Sequence, residues 1–380
     1  MAGSKPHILL VGGDGYPSGV PQHITDLARG LQGMSRVSVL SEIDQGGYAG
    51  LAAFGARHIQ RPGLASRIRH TSLRMGWRNL LQTLQQEKPD IVWLHARLPV
   101  ILGRQAIATG AWQPGATRVA VTFHGLPFGS GHRPLSSTLS RYLERYLLRR
   151  CSPLELVCLT GAQAALMSDA MGRDMAKHRM HVLGNASSLG ALPVPAHRPA
   201  GRHLVMTGRA GWQKNYSYAL RLMRHLPDDV HLSLCGFGTD TPAFAAQVRR
   251  FAGPAADRVT TLGPQPDIRP LLAAADGYVL TSRYEGLPIG ALEASEAGLP
   301  LILADFEGAQ ELITNHPMSV CLAANPALAA QQVDKLLDRY LMDRPVYAAA
   351  IGAHWAERFS PEVFDTSARQ LVSGWLAPGA

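Results

Sequence analysis

Cysteine, aromatic residues and long apolar runs are scarce in this chain of 380 residues. Its four cysteines are scattered, with no Cys-x-x-Cys pair and no metal-ligand spacing, which predicts reduced packing residues in a cytosolic protein. No run of about 18 apolar residues is available for a membrane-spanning helix, and the N-terminus lacks the pattern of a signal peptide. We therefore expect a cytoplasmic protein whose membrane contact, where it occurs, is peripheral.

Positive charge is concentrated in the first half of the chain. Residues 1–190 carry a net charge of +11 and residues 191–380 one of −2, which together give the +9 of the whole chain. Arginines recur at helical spacing in two segments: Arg67, Arg74 and Arg78 in one, and Arg141, Arg145 and Arg149 in the other. In the second segment Leu143, Tyr146 and Leu147 are expected on a different face.

Such arginine faces attract anionic lipid head groups by about 1 kcal/mol per basic residue. A solvated helix face is the open alternative. Nucleic acid is not expected as a partner, because the basic residues are not interleaved with aromatic residues as they are in known binding modules.

Residues 281–298 form the most informative segment, Thr-Ser-Arg-Tyr-Glu-Gly-Leu-Pro-Ile-Gly-Ala-Leu-Glu-Ala-Ser-Glu-Ala-Gly. A β-type run enters a turn, and a helix is predicted from Pro288, because proline fits the first helical position. The free N–H groups of that helix start suit a phosphate. Glu285 and Glu293 would be repelled by a phosphate, so we expect them to accept hydrogen bonds from hydroxyl pairs of a sugar. Phosphate and polyol together indicate a nucleotide sugar.

The same segment resembles the retaining glycosyltransferases of family 4, which have the GT-B fold. The similarity lies in the Glu-x7-Glu spacing, in the Tyr-Glu-Gly-Leu-Pro before the helix and in the Ala-Gly-Leu-Pro-Leu-Ile that follows it. The resemblance implies catalytic roles for His124, Arg209, Lys214 and Glu285. It implies donor contacts from Gly19, Arg209, Lys214, Glu285, Gly286, Leu287, Pro288, Ile289 and Glu293.

A second segment, residues 204–215, looks like the strand, Gly-Arg and Lys-Asn pattern of that family. There the resemblance implies that Arg209 and Lys214 hold the donor pyrophosphate. The reaction requires such charges, since a leaving nucleoside diphosphate gains negative charge that fixed cations stabilise. Charge-assisted hydrogen bonds contribute about 1.5–3 kcal/mol each, against about 0.3–1 kcal/mol for an exposed helix terminus, so the two cations should outweigh the helix dipole.

Two further segments fit the family in the first half of the chain. After a predicted strand, residues 12–19 form a glycine-rich loop before a helix, which would bring the backbone close to a ligand. A nicotinamide site is excluded by spacing, because the third glycine position is Ser18; Gly19 is the residue that carries over from the family. Residues 119–125 look like the family's strand ending in His-Gly, which places His124 near the reacting sugar carbon. His23 and His95 are candidates for the acceptor side.

Short β-like runs alternate with longer helical ones, which predicts parallel sheets of the doubly wound kind. With the resemblance, the expected fold is α/β GT-B, with two Rossmann-like domains facing across a cleft. The predicted divisions are an acceptor domain at 1–183, a linker at 184–202, a nucleotide-sugar domain at 203–360 and a C-terminal helix at 361–380 that crosses back to the first domain. Strands are predicted near 7–12, 36–40, 90–95, 118–123, 155–159, 180–183, 203–207, 231–235, 259–262, 277–281 and 300–303.

The expected reaction is hexosyl transfer from a UDP- or GDP-sugar to a glycan or glycolipid hydroxyl with retained anomeric configuration, as the resemblance implies, in a bacterial surface-polysaccharide setting. No cofactor is expected: the family does not require a metal, and the chain has no Asp-x-Asp pair to hold one. Closure of the cleft on the donor should exclude water. A nucleotide-sugar epimerase or hydrolase on the same fold and a non-catalytic binding subunit remain the alternatives.

Overall fold

The computed structural model of the protein describes residues 5–65, 70–129, 131–194 and 200–377. The chain divides into two compact units. Unit 1 comprises Met1–Gly129, Arg133–Ala186 and Pro361–Ala380, and unit 2 comprises Ser130–His132 and Ser187–Ser360. None of the helices in the described residues has the length and hydropathy needed to cross a bilayer.

Unit 1 alternates buried apolar strands with amphipathic helices. The strands read as continuous apolar runs, such as Ile8 to Val11, because helices cover both faces of a parallel sheet. Its strands are β1 His7–Val11, β2 Arg36–Ser41, β3 Arg57–Gln60, β4 Ile91–Leu94, β5 Arg118–Phe123, β6 Glu155–Cys158 and β7 Arg179–Val182. Its helices are α1 Gly19–Gly30, α2 His70–Glu87, α3 Arg97–Ala108, α4 Pro134–Arg150, α5 Gly161–Met171 and, at the end of the chain, α13 Pro361–Leu376.

Unit 2 repeats the same architecture with different details. Its strands are β8 Arg202–Thr207, β9 Val230–Cys235, β10 Val259–Gly263, β11 Gly277–Leu280, β12 Leu301–Leu303 and β13 Ser319–Cys321. Its helices are α6 Tyr216–Met223, α7 Pro242–Ala252, α8 Arg269–Ala274, α9 Ile289–Glu296, α10 Ala309–Ile313, α11 Pro326–Met342 and α12 Arg344–Phe359.

Both sheets are parallel, and in each of them the strand order reverses at one internal point. In the described residues the strand order is β3-β2-β1-β4-β5-β6-β7 in unit 1 and β10-β9-β8-β11-β12-β13 in unit 2. The strand order reverses between β1 and β4 in one sheet and between β8 and β11 in the other. Ligands of such sheets bind beyond the carboxyl ends of the strands at this switch point, so the loops after these four strands are the places to examine.

The last helix, α13, packs against α1 within unit 1. Phe364, Ala368, Val372 and Trp375 are buried in the same apolar cluster as β1 and α1. The Trp375 ring stands edge-on to Trp93 of β4, with ring centroids 4.7 Å apart. The end of the chain therefore completes the core of the unit in which the chain begins.

Three details differ from the sequence-based expectations. The short strands β3 and β13 were not predicted, because their sequences, Arg-His-Ile-Gln and Ser-Val-Cys, carry little apolar signal. Pro288 is the N-cap rather than the first residue of its helix, with an extended ψ of 118°. The segment predicted as a linker contributes Ser187 to unit 2, where its hydroxyl donates to Glu296 at 2.7 Å.

The arginines predicted to form one face of α4 differ in their exposure and in their contacts. Arg141 is exposed, whereas Arg145 donates to the carbonyl of Ala170 and Arg149 pairs with Asp174. Tyr146, which was expected on a different face, is itself exposed. For the other arginine segment, Arg74 and Arg78 lie exposed on α2, and Arg67 falls outside the described residues.

Candidate active site

The loop after β8 presents the two cations at the switch point of unit 2. Gly208 begins it with φ +143°, and a Cβ there would lie 2.4 Å from Cε of Lys214, so the lysine stem packs over this glycine. Tyr216 fixes the turn by donating its hydroxyl to the Gly208 carbonyl at 2.5 Å. Arg209 is exposed, and no described residue pairs with it. The loop thus holds one cation in place and leaves the other free for a ligand.

Lys214 meets the first glutamate of the Glu-x7-Glu pair. Its Nζ lies 2.8 Å from Oε1 of Glu285, and both side chains are largely buried, with 18% and 11% of their surfaces exposed. Ser282 donates its hydroxyl to the same oxygen at 2.7 Å. The carboxylate is therefore oriented from two sides, which leaves its other oxygen available to an incoming hydroxyl.

Hydrogen bonds tie the end of β11 and the segment after it to the loop after β8. The N–H of Arg283 donates to the Gln213 carbonyl at 2.8 Å, and the Gln213 amide donates to the Tyr284 carbonyl at 3.1 Å. Thr281 donates its hydroxyl to the Lys214 carbonyl at 3.1 Å. These bonds fix the two segments of the candidate donor site against each other, as a preorganised site requires.

Small residues allow the turn into α9 to pack closely. A Cβ on Gly308 would lie 1.7 Å from the carbonyl oxygen of Gly286, and one on Gly290 would lie 2.4 Å from the Tyr278 hydroxyl. Leu287 is buried and anchors the turn, with 3% exposure. Ile289 is the first residue of the helix, so the free N–H groups of the helix start follow directly after Pro288.

The second glutamate of the pair, Glu293, lies inside α9. Burial, together with the charge of Glu296, raises its pKa to about 7. Both Glu285 and Glu293 act electrostatically on the buried hydroxyl of Tyr278 and raise its pKa, although burial is the larger cause. The charges of both carboxyl groups therefore act on the Tyr278 hydroxyl of β11.

The raised pKa of Glu293 predicts a pH-dependent stability. In the folded protein this carboxyl keeps its proton up to about pH 7, whereas in the unfolded chain it ionises near pH 4.5. The native state therefore loses stability as the pH rises through this range. We expect Glu293→Gln, which cannot ionise, to stabilise the protein at pH 8 by about 1–3 kcal/mol, at about 1.4 kcal/mol per pKa unit, and to have little effect at pH 4.5.

Urea denaturation of wild type and variant at both pH values measures this difference. Glu357→Gln, an exposed replacement on α12, is the matched control. An equal effect of Glu293→Gln at both pH values would show that folding does not raise the pKa of Glu293.

Unit 1 places its own candidate residues after β1 and β5, at the carboxyl ends of its strands. Gly19 is the exposed first residue of α1, after the N-cap Ser18. His124 follows β5 and lines a pocket of about 240 Å³ together with Asp14, Ser18 and Thr122. Among the described residues no donor meets the buried Oδ1 of Asp14. The pocket therefore presents a carboxylate and an imidazole to a polar ligand.

His124 lies in a cluster with His23 and His95. The ring centroid of His23 lies 4.9 Å from that of His124 and 5.5 Å from that of His95. The centroids of His95 and His124 are 5.5 Å apart. Burial lowers the pKa of His23 to about 4 and lowers those of the other two rings well below the usual value. All three rings are therefore neutral at physiological pH.

The structure brings Lys214 and Glu285 into contact, and Arg209 lies on the same loop as Lys214. Glu293 lies on α9, and its charge acts on Tyr278 as that of Glu285 does. In unit 1, Ser18 and Val20 line the pocket of His124, whereas Gly19 between them does not. Sequence reasoning missed Ser282, Tyr278 and Asp14. A signal existed for Ser282, which lies three residues before Glu285, and for Asp14, the acid of the glycine loop; Tyr278 gave none, because it reads as an ordinary strand residue.

Two family models match the chain. The model described as Glycosyltransferase Family 4 matches residues 17–189, and the one described as Glycosyl transferases group 1 matches residues 201–339. The first match lies in unit 1 except for residues 130–132 and 187–189, and the second lies in unit 2.

Among curated proteins, the chain is 28% identical over 280 residues to a glycogen synthase of Mycobacterium tuberculosis. This match covers 71% of the chain and 65% of that protein. It is 27% identical over 254 residues to the UDP-Gal:alpha-D-GlcNAc-diphosphoundecaprenol alpha-1,3-galactosyltransferase of Escherichia coli. That match covers 62% of the chain and 63% of the relative. The matches span less than two thirds of these relatives.

Among solved structures, the fold is similar to that of Anabaena HepE in complex with UDP-glucose. The TM-score is 0.76 at 16% identity, and the match covers 97% of this chain and 100% of the other. At this identity the likeness concerns the fold alone.

Two doubly wound parallel sheets of this strand order, one in each unit, give the chain the α/β GT-B fold. Within that fold the chain belongs to the glycosyltransferases of the family 4 type, since residues 17–189 match the family 4 model and residues 201–339 match the group 1 model. The sequence-based predictions of family and fold are thereby confirmed.

Proposed function

We propose that the protein transfers a hexosyl unit from a UDP- or GDP-sugar to a hydroxyl of a glycan or lipid-linked glycan, with the anomeric configuration retained. The observation that carries this proposal is the contact of Lys214 with Glu285 at the switch point of unit 2. A cation for phosphate and an oriented carboxylate for hydroxyl groups lie side by side there. A nucleotide sugar presents both kinds of group.

In the proposed reaction the cations serve the leaving group. Arg209 and Lys214 bind the diphosphate and stabilise the charge that develops as the bond from the anomeric carbon to the phosphate oxygen breaks. They take the place that a divalent metal would otherwise fill, so transfer requires no metal. EDTA should leave the rate of transfer unchanged.

The glutamates bind the donor rather than attack it. Glu285 and Glu293 accept hydrogen bonds from sugar and ribose hydroxyls, and neither acts as a nucleophile. The acceptor oxygen bonds to the anomeric carbon on the face that the diphosphate leaves, and the acceptor proton passes to a diphosphate oxygen. Attack on the same face retains the configuration.

Unit 1 is the proposed acceptor unit. Its pocket offers Asp14 as a hydrogen-bond acceptor and neutral His124 as a donor or acceptor, which suits a hydroxylated ligand. The name of the Escherichia coli relative specifies a diphosphoundecaprenol-linked sugar as its acceptor. A lipid-linked glycan of bacterial surface-polysaccharide synthesis is the proposed acceptor of this chain.

Incubation of the protein with UDP- and GDP-hexoses, with and without a lipid-diphosphate-linked saccharide, tests the proposal. We expect a new glycoside only when donor and acceptor are both present, and proton NMR of its anomeric centre should show the configuration of the donor. Free sugar or an altered nucleotide sugar formed at full rate without acceptor would favour a hydrolase or epimerase. Donor binding without turnover on any acceptor would favour a binding subunit.

An exposed apolar stripe on α4 supports a peripheral membrane contact of unit 1. Its members follow one another at spacings of four, three and four residues and so share one helix face: Leu135, Leu139, Tyr142 and Tyr146, which are 74%, 62%, 69% and 42% exposed. The exposed Arg141 and Arg150 lie on the same helix. We propose that this face inserts shallowly into an anionic bilayer, on the inner face of the cell membrane, where the lipid-linked acceptor resides.

Cosedimentation with vesicles tests this contact. We expect the protein to bind phosphatidylglycerol-containing vesicles more strongly than phosphatidylcholine ones, with binding that weakens in salt. Leu139→Asp should lower the bound fraction at least fivefold, because it places a charge in the apolar stripe. Leu328→Asp, at a similarly exposed leucine of unit 2, is the control. Equal binding of wild type to both vesicle types would contradict the proposal.

A further inference from the structure

Arg97 brings a positive charge to the pocket of unit 1. It is the first residue of α3 and lines the same pocket as Asp14 and His124, and its side chain is 40% exposed. Its Nη1 donates to Oε1 of Glu144 at 3.2 Å, and its Nη2 donates to the Ser140 hydroxyl at 3.2 Å. Because a guanidinium group carries five N–H donors, these two bonds leave others for a ligand in the pocket.

Two guanidinium groups share the single carboxylate of Glu144. Its Oε2 lies 2.6 Å from Nη1 of Arg104, and the side chains of Glu144 and Arg104 are both fully buried. One negative charge therefore faces two positive charges, which leaves the group with one surplus positive charge. Of the two arginines, Arg97 is the one that is partly exposed and lines the pocket. The surplus charge is therefore available to a ligand there.

The positive charge of Arg97 is held at a cost in free energy. Partial burial lowers the pKa of Arg97, and the charge of Arg104 lowers it further, although Glu144 raises it. A bound anion favours the charged form of a neighbouring cation, so an anionic ligand in the pocket would offset this cost. The start of α3 adds to the attraction, because its first turn contains no acidic residue and its N-cap, Ala96, makes no side-chain cap.

The pocket also has a carboxylate side, which lies at a different strand. Asp14 follows β1, and its charge acts on Tyr48, whereas the charges that act on Arg97 come from Glu144 and Arg104. The carboxylate suits the hydroxyl groups of a sugar. The planar guanidinium suits a phosphate, whose oxygens can accept two parallel hydrogen bonds from it. A ligand that matches both sides carries a sugar and an anionic group.

Arg97 connects the pocket to α4, the helix with the exposed apolar stripe. The hydroxyl of Ser140, which accepts from Nη2 of Arg97, belongs to α4 and is next in sequence to Leu139 of that stripe. In a lipid-linked saccharide the diphosphate joins the sugar to the lipid chain. With the sugar in the pocket and the lipid chain at the stripe, the diphosphate would lie at the position of Arg97.

We propose that Arg97 binds the diphosphate of the lipid-linked acceptor and selects acceptors that carry one. This assignment rests on the proposed function, because it adds one group of the acceptor to the acceptor pocket. Ser140 and Glu144 are positioning residues that hold the guanidinium in place. Since the diphosphate of the acceptor does not react, Arg97 should bind it equally in the ground state and in the transition state. Loss of Arg97 should therefore raise KM and leave kcat little changed.

Calorimetric titration of the full-length protein with geranyl diphosphate tests the site without any transfer. We expect wild type to bind geranyl diphosphate more tightly than geranyl monophosphate. Arg97→Gln should weaken binding of the diphosphate by about 10–100-fold, as expected for the loss of charge-assisted hydrogen bonds, and Arg97→Lys should weaken it less. No binding to wild type, or equal binding to wild type and Arg97→Gln, would overturn the proposal whether or not the protein transfers a sugar.

Two further variants locate the bound diphosphate. Arg179→Gln is the matched control, because Arg179 also shares a carboxylate, that of Glu155, with a second arginine, Arg118, but lies on β7 and does not line the pocket. It should bind geranyl diphosphate as wild type does. Lys214→Ala, which alters the proposed donor site of unit 2, should also keep the binding that depends on Arg97. Loss of binding in Lys214→Ala but not in Arg97→Gln would place the ligand at the donor site and contradict the proposal.

Transfer kinetics with two forms of one acceptor give a second test. The acceptor saccharide is supplied once linked to a lipid diphosphate and once as its neutral octyl glycoside. Wild type should prefer the diphosphate form by about tenfold or more in kcat/KM, and Arg97→Gln should lose that preference through a higher KM. Equal losses on both forms would mean that Arg97 only supports the fold. Transfer by wild type without any preference would leave the proposed reaction standing and refute the role of Arg97.

An anionic membrane head group is the other source of the same phosphate chemistry. Arg97→Gln should bind phosphatidylglycerol vesicles as wild type does, because the apolar stripe and the exposed arginines of α4 remain in place. If Arg97→Gln lost vesicle binding and kept its preference for the diphosphate acceptor, Arg97 would bind head groups instead, and the proposal would be wrong.

Discussion

Replacing Lys214 by alanine should lower kcat/KM for transfer by about 10–100-fold. Charge-assisted hydrogen bonds contribute about 1.5–3 kcal/mol, and each 1.4 kcal/mol lost from the transition state is about a factor of ten in rate. The same change leaves Glu285 without the Nζ group that lies 2.8 Å from it. The donor site thus loses a phosphate ligand and the orientation of a sugar ligand together.

Steady-state kinetics with the donor found by screening measures this effect. Lys335→Ala, which removes an exposed lysine of α11, is the control and should behave as wild type. Lys214→Arg should recover part of the activity, because it restores the charge but not the position of the ammonium group. Unchanged kinetics in Lys214→Ala would remove the assignment of the phosphate site in unit 2.

Replacing Arg209 by alanine should disturb the surrounding structure less than replacing Lys214 does. It is exposed and has no partner among the described residues, so Arg209→Ala should reduce turnover through the loss of the ligand contact alone. The melting temperatures of Arg209→Ala and Lys214→Ala distinguish loss of a ligand contact alone from loss that comes with a local change in the fold. Lys214→Ala should also perturb the fold locally, because the lysine stem covers Gly208.

Replacing Glu144 by alanine should produce the largest loss of stability. Glu144 and Arg104 are both fully buried, and their carboxylate and guanidinium groups lie 2.6 Å apart. Glu144 also accepts from Arg97 at 3.2 Å. Removing one partner of a buried pair leaves the other charge uncompensated, which costs about 3–5 kcal/mol. That is a large fraction of the total stability of a typical domain, about 5–15 kcal/mol.

Urea denaturation, together with hydrogen exchange of α3 and α4, checks this prediction. The double replacement Arg104→Met/Glu144→Leu should be less destabilising than Glu144→Ala, since it removes both buried charges. Glu311→Ala breaks a partly exposed pair with Arg358 and is the control, with an expected loss below about 1 kcal/mol. If Glu144→Ala also lost less than about 1 kcal/mol, the prediction would be contradicted, because water would then reach Arg104 and solvate its charge.

The buried pair also bears on the proposed membrane contact. Arg97 and Arg104 belong to α3, and Glu144 belongs to α4, the helix with the exposed apolar stripe. The pair therefore anchors the buried side of α4 while its opposite side remains free. A destabilised Glu144 variant should lose vesicle binding together with the order of α4, whereas Leu139→Asp should lose binding with the fold intact.

The sequence alone determined the fold class, the order of most elements and the donor segments. Strands of a parallel sheet are continuous apolar runs, and the turns between them carry glycine and proline, so both signals are local. Apart from Gly19, the candidate donor residues fall in two contiguous segments, 204–215 and 281–298, each of which holds its chemistry within a few residues. Local patterns of this kind can be interpreted without knowledge of what lies beside them.

Tertiary structure decided what depends on distant residues. Glu144 has the sequence context of a solvated arginine face, and only the packing of α4 on α3 buries it against Arg104. His23, His95 and His124 are separated by about 30 to 70 residues in the sequence. His95 and His124 follow β4 and β5, which end at the same edge of the sheet, and α1 places His23 beside them. Spacing in a sequence does not encode such proximity, since it arises from strand order, which is a property of the whole sheet.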